Sequence, residues 1–149
     1  MDAATAALLG AAISGVVALG SQFIGSWLTT SRQRKQSQHE RLVRFMASAK
    51  GYTMAVGVLA RSEEGRKEEL ELELIWTYMD SVDTALVEIQ VHDAGQVADA
   101  AVAVDVALGE LIGAARKKQF SREDWREARD AIVESHVKYF EAVARAAVK

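Results

Sequence analysis

The sequence predicts an all-α fold: one N-terminal transmembrane helix followed by an antiparallel bundle of about four helices. Three observations predict it. The 149 residues contain no proline, so no strong helix breaker interrupts the chain. Ala, Leu, Glu, Arg and Lys, all good helix formers, dominate the composition. No charged residue falls between Ala3 and Ser31, and after residue 41 apolar residues recur at steps of three and four.

The apolar stretch AATAALLGAAISGVVALGSQFIGSWL runs 26 residues, roughly 39 Å as a helix at about 1.5 Å per residue. That exceeds the ~30 Å hydrocarbon core of a bilayer and leaves room for tilt. Trp27 closes it, where an indole favours the headgroup region, and Arg32, Arg34 and Lys35 follow at once. The positive-inside rule then places the N-terminus outside and the rest in the cytoplasm, a single-pass protein of the plasma membrane. A cleavable signal peptide would carry its basic cluster before the apolar core. A peripheral amphipathic helix would need a charged face; a buried core helix in a soluble assembly is the alternative, since the segment is Ala/Gly-rich and only moderately hydrophobic. Residues 1–31 are therefore expected to be the anchor, with the lipid bilayer as partner.

Small residues recur along this segment at helical spacing: Ala7, Ala11 and Gly15, with Gln22 the one amide of the span. Small side chains let helix backbones approach closely in lipid, and an interhelical hydrogen bond would relieve the amide's desolvation. Ala7, Ala11, Gly15 and Gln22 are the expected helix-association face, serving a homo-oligomer or a membrane-protein partner.

Residues 32–41, RQRKQSQHER, hold no apolar side chain and read as a basic stalk. Its collar of Arg32, Arg34, Lys35 and Arg41 is expected at the membrane surface, where each base is worth about 1 kcal/mol against anionic lipid. No aromatics interleave with these bases and the next helix is acidic, so nucleic acid is not the expected partner. Ten acids against two bases lie between Glu63 and Asp93. The run Glu63, Glu64, Glu68, Glu69, Glu71 and Glu73 reads as a solvated face; docking against the basic stalk is its alternative use.

Residues 42–149 are expected to form the bundle. Leu42, Phe45, Ala49, Tyr52, Val56 and Leu59 share one helix face. So do Leu72, Ile75, Met79, Val82, Leu86 and Ile89, and then Val97, Ala101, Val104, Leu108, Leu111 and Ala115. The last helix places Trp125, Ala128, Ile132, Tyr139 and Val143 on its stripe, widened by Val133, Val137 and Phe140. Such stripes pack as the seams of bundles and coiled coils. Ser62, Asp93 with Gln96, and Ser121 with Asp124 are the expected helix starts. Gly51, Gly57, Gly109 and Gly113 fall inside helices, a cost that close packing would explain.

Chemistry is sparse. With no cysteine there is neither a disulfide nor a thiolate site. His39 and His92 are expected in solvent, and His136 on the apolar stripe of the last helix. No paired Glu-x-x-His, His-Glu-x-x-His, phosphate loop or Gly-x-Ser-x-Gly occurs. No catalytic residue, cofactor, metal or small-molecule substrate is expected, and the chain is not read as an enzyme.

The order of segments, with GSWLTTSRQRKQSQHERLVRF joining span to bundle and an Ala/Arg-rich helix from Arg126 to Val148 at the end, resembles a group of small actinobacterial single-pass membrane proteins. The resemblance implies a plasma-membrane location and an actinobacterial or phage-related source; it implies no activity. The expected function is a membrane-tethered bundle for protein interaction or self-assembly at the cytoplasmic face. The alternative is an oligomerising, membrane-perturbing effector of holin or defence type.

Overall fold

A computed structural model describes the backbone of residues 3–93 and 95–148, and the side chains of residues 32–71, 73–93 and 95–148. Every regular element among the described residues is helical. These are α1 (Ala3–Arg61), α2 (Lys67–Leu70), α3 (Trp76–His92), α4 (Gln96–Lys117), α5 (Arg122–Arg129) and α6 (Ser135–Val148). A 3-10 turn, Glu64–Arg66, precedes α2, and π turns join α2 to α3 (Glu71–Ile75) and α5 to α6 (Asp130–Glu134). Joined through the two π turns, α2 with α3 and α5 with α6 run as two continuous helices, so four helical rods account for the bundle.

The chain divides into two compact units, Met1–Ser37 and Gln38–Lys149. The boundary falls inside the predicted stalk. The predicted span, residues 1–31, and its association face lie outside the residues with described side chains. Among the described residues no helix is long and apolar enough to cross a membrane.

In the second unit the rods alternate in direction. Arg41 meets Asp93 and Arg44 meets Glu88, so the start of this part of α1 lies beside the end of α3. Phe45 packs on Phe140 with ring centroids 5.1 Å apart, and Gly57 lies against Trp125, so α5–α6 also runs antiparallel to α1. The predicted seams of α1 and α4 are buried throughout: Phe45, Val56, Ala101, Val104 and Leu111 are wholly closed to solvent.

The last helix departs from its predicted stripe. Tyr139 is 53% exposed and His136 is also exposed, while Trp125, Val133 and Phe140 are buried. The π turn Asp130–Glu134 is the cause. A π turn inserts a residue, so the inward face advances in consecutive steps of four (Trp125, Arg129, Val133, Val137) before Phe140. Regular α periodicity extrapolated across that turn puts Tyr139 on the wrong side.

The helix ends differ in part from the expected caps. Ser121 does cap α5, accepting from the Asp124 backbone N–H at 3.1 Å. Ser62 instead lies just past the end of α1 and donates its hydroxyl to the Val58 carbonyl at 2.7 Å. Asp93 is engaged by Arg41, and the residue before α4 is Gly95, whose φ of 82° lies in the left-handed region that favours glycine. Long-range donors complete other ends. Phe120 N–H reaches the Ala60 carbonyl at 2.9 Å, Gln119 Nε2 reaches that of Arg61 at 3.2 Å, and the buried Lys67 Nζ reaches that of Ala115 at 3.1 Å. These carbonyls belong to the last turns of α1 and α4, which lack partners within their own helices.

Candidate functional site

Of the predicted site residues, Ala7, Ala11, Gly15 and Gln22 lie outside the described side chains. Arg32, Arg34 and Lys35 are exposed. Arg41 is not part of that exposed group: its side chain is 19% exposed and faces the Asp93 carboxylate, which is 2% exposed. Hydrogen bonding to Asp93 raises the Arg41 pKa above its ordinary value, so this base is a permanent clamp between α1 and α3. Arg44 adds a second, more exposed contact, with Nη1 2.9 Å from the Glu88 carboxylate. Glu88 and Asp93 are thus the acids that receive Arg44 and Arg41 of α1. Glu68 and Glu69 are exposed, Glu64 pairs with Lys67, and Glu71 receives Arg116. Among the described residues no group of His, Asp and Glu is placed to hold a metal ion.

Clefts open along the described part of α1. The first, about 640 Å³, lies between α1 and α6 at the end of the bundle reached first after the stalk. Leu42, Val43, Met46 and Ala47 form one wall, and Phe140, Ala144 and Val148 the other. His39, Lys50 and Arg145 stand on its rim with Glu141, which pairs with Arg145 at 3.4 Å. Val43 is 52% exposed although it continues the apolar wall. An apolar floor with His39, Lys50 and Arg145 on its rim is a surface suited to binding an apolar segment.

The second cleft, about 480 Å³, lies between the end of α1 and α5. Arg61, Arg122, Arg126 and Arg129 line it together with Trp125. A count of charges along the last third of the chain gives nine acids and nine bases and conceals this cluster. The signal that would have found it is the spacing of Arg122, Arg126 and Arg129, which sets three guanidinium groups on one helix face.

Between α1, α3 and α4, burial pushes the Tyr52 hydroxyl up to about 12, so it stays protonated. Burial also raises Asp105, with repulsion from Asp83 adding to it. Neither group opens onto either cleft.

No family model matches the chain, and no curated protein or solved structure matches it either.

Proposed function

We propose that the chain is a non-enzymatic, membrane-tethered helical bundle that self-associates at the cytoplasmic face. The tether is segment 1–31, uncharged from Ala3 to Ser31, with its following bases, as in the small actinobacterial membrane proteins that the sequence resembles. The observation that carries the self-association is the apolar groove between α1 and α6, with the exposed Val43 beside it. Apolar surface of this kind on a helical bundle marks an interaction face. The occupant we assign is a second copy of the chain. Tethering makes the encounter two-dimensional, orients all copies alike and raises their effective concentration, which favours copies over a dilute partner.

The test is disulfide cross-linking of the full chain in membranes, made clean by the absence of native cysteine. Val43→Cys is expected to form covalent dimers rapidly. Val106→Cys, equally exposed at 56% but on α4, is expected to stay monomeric. Equal cross-linking at both positions, or none at either, would contradict the assignment. Dye leakage from liposomes holding the purified chain would instead favour the pore-forming alternative.

A further inference from the structure

We propose that the cleft between α1 and α5 binds a small organic phosphate, with Arg122, Arg126 and the Trp125 indole N–H as its anion-recognising groups. This site goes beyond the tethered-bundle reading and does not depend on it, because every residue concerned belongs to the second unit.

Three observations converge. The first is charge: four arginines and no acid line the cleft. Arg129 is occupied by Asp130, at 2.5 and 2.8 Å, and Arg61 Nε donates to the Gly57 carbonyl at 2.9 Å. Arg122 and Arg126 make no hydrogen bond or ion pair among the described residues. They stand one turn apart on α5, so their guanidinium groups are free to converge on one oxyanion. Guanidinium forks match phosphate oxygens in pairs, which gives them both strength and geometric selectivity.

The second observation is the indole. Trp125 is 6% exposed, yet its Nε1–H has no acceptor among the described residues. Among the described residues no fully buried side-chain nitrogen or oxygen lacks a partner, so this N–H reaches the cleft surface rather than being sealed beneath it. A buried indole ordinarily finds an acceptor. Here the acceptor would come from the ligand.

The third is Gly57. A Cβ at that position would lie 2.9 Å from Trp125 Nε1. Glycine thus lets the indole edge that carries this donor pack close to α1, where a side chain would displace it.

The rest of the lining gives the chemical class. Met54, Val58 and Tyr78 add apolar surface to the same lining. A volume of about 480 Å³ suits a molecule of nucleotide size. The ligand is therefore an anion carried on a flat or apolar body, and a nucleoside phosphate is the simplest such probe.

The Trp125 indole N–H resonance of the full ¹⁵N-labelled chain in detergent micelles reports the site directly. Titration with ADP is expected to shift it and to leave the exposed Trp76 unmoved; inorganic phosphate is expected to act more weakly, and adenosine not at all. Arg122→Gln with Arg126→Gln should weaken ADP binding by about tenfold or more while leaving the free-state Trp125 resonance in place. Gly57→Ala should also abolish the response. A Trp125 resonance unmoved at about 10 mM ADP, above the range of even weak specific binding, would overturn the proposal. An equal shift from adenosine, or an unchanged affinity in the double variant, would overturn it as well.

Discussion

Arg41 holds Asp93 through two hydrogen bonds, Nε to Oδ2 at 2.9 Å and Nη2 to Oδ1 at 3.1 Å. The carboxylate is almost wholly buried and the guanidinium mostly so. The pair joins the start of the bundle part of α1 to the end of α3, 52 residues away. Removing one partner of such a pair strands a buried charge, which is worse than never having had the pair.

Arg41→Ala is accordingly expected to destabilise the bundle by about 3 kcal/mol. Arg41→Met combined with Asp93→Leu should recover much of that loss. Urea titration followed by far-UV circular dichroism checks both. A double variant as unstable as the single one would show that the pair carries net stability rather than conformational specificity.

The glycines separate into two kinds. Gly57→Ala drives a methyl into the Trp125 ring and is expected to cost about 1–3 kcal/mol. Gly109 and Gly113 have nothing within 4 Å of the position a Cβ would take. Gly109→Ala and Gly113→Ala should each stabilise α4 by about 0.5–1 kcal/mol through helix propensity. Thermal melts of the three variants test the contrast.

Lys67 is buried with its ammonium on the Ala115 carbonyl. Its partner Glu64 is exposed, so the ion pair itself adds little. Lys67→Met keeps the aliphatic stem but leaves that carbonyl without its donor, at an expected cost of about 1–3 kcal/mol. Glu64→Gln should be nearly silent by the same urea titration.

Asp105 supplies a pH dependence. Its pKa is raised by burial and by Asp83, so the folded chain holds this proton more tightly than the unfolded chain does. Stability from this group is complete below the ordinary carboxylate pKa and is lost as pH rises through the elevated folded value. Asp105→Asn is therefore expected to stabilise the bundle at neutral pH, with the gain disappearing under acid conditions. Melting temperatures of the variant and the parent across pH 3–7 (roughly the range spanned by ordinary and raised carboxylates) read this directly.

Much of the fold was legible because apolar spacing survives wherever a helix is regular. The α1 and α4 seams could be read residue by residue. The failures share one physical source: information that lies across the fold or in a local change of helix period. The π turn Asp130–Glu134 turns Tyr139 outward, and nothing in the local composition announces it. Asp93 and Ser62 have the chemistry of caps, but a distant arginine claims the first and the Val58 carbonyl the second. The Arg41 clamp and the meeting of Arg61 with the α5 arginines are tertiary facts that a count of charges along the chain cannot express. The α1–α6 groove was equally hidden, because Val43 belongs to no predicted seam.

The central claim is the tether, and the side of the membrane reached by each end of the chain tests it most directly. In a chain without native cysteine, Thr5→Cys and His136→Cys each provide a single thiol. A membrane-impermeant maleimide should label Thr5→Cys in intact cells and His136→Cys only after permeabilisation, with both proteins retained in the membrane pellet at alkaline pH. Protection of both thiols in intact cells, with the chain released to the supernatant, would contradict the account.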